Sequence, residues 1–194
     1  MDALNFFLSL PPDMKQAIKE IIDKYGSNYL KSLNPTPRSK IKAVKAMYKL
    51  MDSCIQEFME TNTTTCKKGC AYCCYVYIET TIDEALLIRN YCKHNHIPLE
   101  EETLKEQSKS THKNWNYKCI FLDKNNCCSI YPVRPMTCRK YYVNTDPELC
   151  NISTGIHKIA ILHNLDVELM TSGIFQVRDT GSLPEQLLKV LKQS

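Results

Sequence analysis

Nine residues near the middle of the chain, Cys66-Lys-Lys-Gly-Cys70-Ala-Tyr-Cys73-Cys74, carry four cysteines, and no other stretch limits the fold so strongly. An isolated cysteine usually behaves as a small buried hydrophobe. Four of them, interleaved with lysine, glycine and tyrosine, make no apolar face on a helix or a strand. The short intervals instead let one loop present several thiolates to a common centre, as structural metal sites require. A second group follows in Cys119-Ile-Phe-Leu122 and in Cys128-Ser-Ile-Tyr131-Pro-Val-Arg134-Pro135-Met-Thr-Cys138-Arg139. From Cys66 to Cys138 the chain reads as a metal-binding cysteine cluster.

The order Cys-x3-Cys-x2-Cys-Cys, then Cys-x-Phe-Leu, then Cys-Ser-Ile-Tyr-x-x-Arg-Pro-x-x-Cys-Arg resembles the YkgJ-type cysteine cluster family. That family is described as zinc- or iron-chelating, and flagellin lysine N-methylase is a relative. The positions that match are Cys66, Cys70, Cys73, Cys74, Cys119, Cys128, Tyr131, Arg134, Pro135, Cys138 and Arg139. A weaker match over Tyr141 to Cys150 adds Cys150. The resemblance implies metal ligands at Cys66, Cys70, Cys73, Cys74, Cys119, Cys128, Cys138 and Cys150. Zinc or iron is the implied cofactor, an iron–sulfur cluster included. Cys127 adjoins Cys128 and leaves the register open by one residue.

These thiols outnumber the four that one structural zinc takes. Neighbouring Cys73 and Cys74 are expected to point apart if the backbone there is extended, so two centres, or one cluster with spare thiols, fit the count. A set without histidine suits zinc and iron–sulfur chemistry alike. His94, His96, His112, His157 and His163 have no ligand spacing to a cysteine and are expected to be exposed or capping residues. Lys67, Lys68, Arg134 and Arg139 are expected to offset thiolate charge, the arginines being the better placed.

Catalytic readings find less support. Cys66-x3-Cys70-x-Tyr72-Cys73 also resembles the iron–sulfur signature of radical S-adenosylmethionine enzymes. A helical pattern precedes it, however, and the alternating strands and helices of a β/α barrel are missing. A nucleophilic cysteine would need a positioned base, and no histidine lies near the cluster in sequence. Methyl transfer, suggested by the methylase relative, rests on analogy alone. No catalytic residue is assigned.

Eleven cysteines raise the question of compartment. The apolar run Leu4 to Leu10 lacks a basic lead and ends in Pro11-Pro12, unlike a secretory signal. No window is apolar enough to span a bilayer. A reducing cytoplasm, where clustered cysteines bind metal more often than they pair, is the expectation. The formal charge of +4 gives no nucleic-acid footprint, so a metal ion is the expected partner, with no nucleic acid and no membrane.

Apolar spacing predicts helices over residues 13–31, capped by Asp13, and over about 39–61. Val76 to Ile78 is β-prone. Thr81-Ile-Asp-Glu84 is a capping box for a helix ending near His94, with Ala85, Ile88 and Cys92 inward. Asn116 to Leu122 and Cys128 to Tyr131 predict a hairpin around Asp123-Lys-Asn-Asn126. Residues 155–170 are helix-compatible through Ile156, Ile159, Ala160 and Leu162, and Ser182-Leu-Pro-Glu185 starts a last helix. Cys54 lies on the second helix, beside its apolar seam, and is expected to be buried rather than a ligand. The expected class is α+β, mainly helical. An N-terminal helical hairpin packs on a cysteine-rich metal-binding centre with a short β-hairpin. Residues 1–62 form a helical arm and 63–194 the cysteine cluster domain with C-terminal helices, together one compact unit.

Overall fold

The structure, a computed structural model, describes residues 9–151 and 159–193. Among them are seven α-helices and a two-stranded sheet, the mainly helical α+β class that the sequence predicts. Helix α1, Pro12–Ser32, begins on a proline, which loses nothing at a position whose N–H has no helical partner. Asp13 was expected to cap this helix. It lies instead in the first turn, where its charge meets the positive helix end, and no side chain caps. Helix α2, Pro37–Met59, also begins on a proline and is capped by Thr36, whose side chain accepts a hydrogen bond from the Ser39 N–H. Its buried residues Val44, Tyr48, Met51 and Ile55 recur at helical spacing.

Strand β1, Glu79–Thr81, leads into α3, Ile82–His94, through a complete capping box between Thr81 and Glu84. Ala85, Ile88 and Cys92 face the core as expected. Helices α4, Glu101–Ser108, and α5, Met136–Arg139, follow. Helix α6 runs from Leu165 to Val177 under an Asn164 cap. Strand β2, Thr180–Ser182, then delivers the chain to α7, Leu183–Leu191, capped by Ser182.

Three expectations need correction. The regular sheet pairs β1 with β2, antiparallel, with Glu79 opposite Ser182. The expected strand at Val76 to Ile78 therefore lies a few residues early. At the predicted hairpin the turn forms, with Asp123 Oδ1 accepting from the N–H groups of Asn125 and Cys127, but pairing reduces to the single bridge Leu122–Cys128. Helix does not fill 159–164. That stretch bridges Val143 to Ile161, and Asn164 caps a helix that begins only at Leu165. Ile156 and His157 lie outside the described residues.

Helices α1 and α2 meet, yet α1 lies chiefly along α6. The approach is close enough that a Cβ on Gly26 would stand 2.5 Å from the Gly173 carbonyl oxygen. One hydrophobic cluster draws on Tyr29, Met51, Leu87, Phe121, Ile130, Met136, Ile174 and Leu187. Within it the Glu84 carboxyl, fully buried, ties three parts of the chain together. Its Oε1 accepts from Tyr48 Oη (2.9 Å) and the Met136 N–H (2.7 Å), and its Oε2 from the Thr80 hydroxyl and from the N–H and hydroxyl of Thr81. Asp83 beside it receives a two-pronged pair from Arg178, at 2.6 and 2.9 Å. These bonds fix the start of α5, and with it Cys138.

Candidate metal centre

Four pieces of chain, with the 3-10 helix Pro147–Cys150 packed on the second of them, bring the cysteines together. The first is the loop Cys66–Cys70. The Thr64 hydroxyl donates to the Val143 carbonyl (2.8 Å), as does the Thr65 N–H (3.0 Å), and the Thr65 hydroxyl donates to the Thr145 carbonyl (2.5 Å). This seam lays Cys66 beside the loop that leads to Cys150. The second piece is the 3-10 helix Tyr72–Tyr75, which packs on another at Pro147–Cys150. On its other side the Cys74 carbonyl accepts from the Cys119 N–H at 2.7 Å. The third is the turn that bridges Leu122 to Cys128, and the fourth is α5, which carries Cys138.

Cys73 and Cys74 were expected to point apart on extended backbone. They lie on a 3-10 helix, where successive side chains are about 120° apart. The adjoining Cys74 thiol, then burial, holds the Cys73 thiol far above its ordinary value. Burial raises Cys119 to about 11 and holds Cys138 well above its ordinary value, and it also raises Cys70, Cys128 and Cys150. Mutual repulsion between the thiols adds to burial. Cys70 feels Cys66 and Cys73, and Cys150 feels Cys66, Cys70 and Cys73. Cys119 feels Cys128 and Cys73, and Cys138 feels Cys119, Cys73 and Cys128.

The backbone N–H two positions on favours ionisation of three thiols, Tyr72 for Cys70, Phe121 for Cys119 and Ile130 for Cys128, and the thiolate is the form that binds metal. This repeated feature was not anticipated, since spacing alone does not reveal which amides act on a thiol. All eleven cysteines are unpaired thiols. Among the described residues no group of three or more His, Cys, Asp or Glu is arranged to hold a metal ion. The centre is thus a set of neighbouring thiols, not a closed coordination sphere. Thiolate is the donor that a thiophilic ion such as zinc or iron prefers.

The cations divide. Arg134 sits 3.8 Å over the Tyr131 ring and favours ionisation of Cys73, Cys128 and Cys138. Arg139, expected to do the same, is buried in the framework. It donates to both Asp52 oxygens at 2.7 and 2.8 Å and to the carbonyls of Arg134 and Pro132, and it stacks 3.9 Å over Tyr48. Its five donors are better satisfied by a carboxylate and two carbonyls than by sulfur. Cys54 is half-buried on α2, and Cys92 is fully buried on α3. Cys127 gives its thiol to the Asn125 carbonyl at 3.5 Å, within the turn. Of the histidines, His94 contacts the Asn90 carbonyl, His163 the Glu168 carboxyl and His112 the edge of Tyr77.

Residues 65–155 match the model of the CxxCxxCC family, whose description reads "Putative zinc- or iron-chelating domain". The match spans all eight candidate ligands. No curated protein and no solved structure matches the chain.

Proposed function

Residues 65–155 being a CxxCxxCC domain, we propose that this protein is a metal carrier or metal-stabilised module that holds zinc or iron through thiolates of its cysteine centre. One observation supports the reading: backbone contacts join the cysteine-bearing segments, the Thr64–Thr65 seam to Val143 and Thr145, the Cys119 N–H to the Cys74 carbonyl, and the packing of the 3-10 helices Tyr72–Tyr75 and Pro147–Cys150. Loading would displace protons from thiols that burial holds high, so affinity should fall as the pH falls. The clustering of the cysteines supports a reducing compartment such as the cytoplasm, where clustered thiols bind metal more often than they pair. The shared core supports treating residues 1–62 and 63–194 as one unit. No helix among the described residues is long and apolar enough to cross a membrane.

Elemental analysis and an absorption spectrum of protein purified without oxygen test the reading. Stoichiometric zinc in a colourless protein, or iron with or without sulfide and visible absorption, supports it. Iron with sulfide would favour the cluster form and reopen the iron–sulfur enzyme alternative. Protein that is folded, carries no metal and takes up none on titration would refute metal binding.

A further inference from the structure

Helix α2 carries its charges against its own dipole. Acidic residues near the start of a helix and basic ones near its end are stabilising, and α1, α3, α4, α6 and α7 each have a carboxylate in the first turn. The first turn of α2 has no acidic residue and its last turn no basic one. Its first half instead holds Arg38, Lys42, Lys45 and Lys49, spaced four, three and four residues apart. At that spacing they form one stripe, about 16 Å long. All four are exposed, and among the described residues none is ion-paired to a carboxylate.

The stripe leads into an open groove of about 510 Å³ between α2, the end of α3 and the turn at Pro132 and Val133. Lys45 and Lys49 line it on the α2 side, and Tyr91, Pro132 and Val133 line the side opposite. Further along α2 the lining continues with Asp52, Ser53 and Gln56. Asp52 is paired with Arg139, yet 54% of its side chain stays exposed.

We infer that this face of α2 is a docking site for an acidic segment of a partner protein. The carboxylates of the segment lie along the basic stripe, and an apolar side chain enters the groove against Tyr91, Pro132 and Val133. Charge complementarity is the first reason. Four cations over about 16 Å match about five residues of extended chain, a longer reach than one small anion has. The second is the mixed chemistry of the groove. Asp52, Ser53 and Gln56 offer acceptors that the N–H groups of a peptide can use, whereas the phosphates of a nucleic acid bring acceptors alone. No cysteine lines the groove, so the site does not depend on bound metal.

The probe is a fluorescein-labelled peptide of glutamates ending in leucine and phenylalanine, titrated into the full-length protein with amide NMR shifts recorded alongside. It should bind more weakly as salt rises and shift the amides of residues 38–56, 91 and 132–133. Lys45→Ala combined with Lys49→Ala should weaken binding about tenfold. Lys24→Ala combined with Lys31→Ala removes the same charge from α1 and should change affinity by less than about twofold. Alanine suits exposed helical positions, so both double variants should keep the wild-type circular dichroism. The wild-type shift map locates the site even without them. No binding, shifts confined to other elements, or equal losses in the two double variants would overturn the docking site. An oligouridine that binds this face more tightly than the peptide would overturn the protein partner in favour of a nucleic acid.

Discussion

In α2 and α3 the side chains of Val44, Met51, Leu87 and Ile88 are almost wholly shut away from water, whereas between Cys66 and Cys74 only Ala71 is buried. The first pair of helices is ordered by apolar burial, worth roughly 1.5–3 kcal/mol for each such side chain. The cysteine loop has no comparable source of order. The centre itself is divided in the same way. Its floor, residues 119–139, sends Phe121, Ile130, Val133 and Met136 into the common core. Its outer clasp, residues 66–74 and 144–150, rests on backbone seams and two 3-10 helices. The difference suggests that a bound ion matters most to the clasp, because the floor would keep its shape through packing alone.

Metal removal should expose that contrast most strongly. Structural zinc supplies roughly 10–16 kcal/mol, comparable to the whole stability of a domain at about 5–15 kcal/mol. After chelation, amide hydrogen exchange should become fast over 62–75 and 144–151, while 119–139 and α3 stay protected. Equal protection of clasp and floor in loaded and chelated protein would show that the clasp needs no ion.

Breaking the framework should act in the opposite direction. Glu84→Ala removes the acceptor for Tyr48, Thr80, Thr81 and Met136, all inside the core. Leaving several buried donors unpaired should cost on the order of 3–5 kcal/mol, read as a lowered denaturation midpoint. The floor should loosen with it, since Met136 starts the helix that carries Cys138. A midpoint within error of wild type would mean that the three segments do not depend on this carboxyl.

Much of the framework was legible in the sequence because its signals are local. Thr81 and Glu84 stand at capping-box spacing, Ser182 and Glu185 mark the last helix, and Ala85, Ile88 and Cys92 fall on one face. The pairing of β1 with β2 was not legible, because two three-residue strands about a hundred residues apart carry no periodicity. The second role of Glu84, as acceptor for the Met136 N–H, was hidden for the same reason. At the centre, the spacing of Cys66, Cys70 and Cys73 announced ligand chemistry, but the 3-10 helix that carries Cys73 and Cys74 in place of extended backbone depends on tertiary contacts. Arg139 was misjudged because its neighbours Asp52 and Tyr48 come from a helix far away in sequence.

A smaller effect should follow from Gly173→Ala. A Cβ there would collide with the Ile22 carbonyl and lie 2.9 Å from the Gly26 nitrogen, so α1 must shift on α6. Overpacking of this kind costs about 1–3 kcal/mol, measured by thermal or denaturant unfolding. Because the contact lies in the framework and not in the cysteine centre, metal per chain should be unchanged. Metal loss in this variant would show that α1 and α6 support the clasp, and the contrast between regions would weaken.

The smallest effect is expected at Cys127, one residue from the largest single-thiol effect. Cys127 turns its sulfur to the Asn125 carbonyl at the tip of the turn, while its N–H is held by Asp123. Serine keeps a donor of similar reach there, so Cys127→Ser should alter stability by no more than about 0.5 kcal/mol and keep the full metal content. Cys128 is different in every respect that matters for binding. Its ionisation is favoured by the Ile130 N–H and by Arg134. Cys128→Ser replaces that sulfur with a neutral hydroxyl, a poor donor to a soft ion, and should lower metal per chain. The pair is a strict test because both residues share one turn and one backbone bridge, so a general disturbance of the turn would affect them alike. Loss of metal in Cys127→Ser with retention in Cys128→Ser would move the ligand register by one residue and place an ion at the tip of the turn instead of on the packed floor.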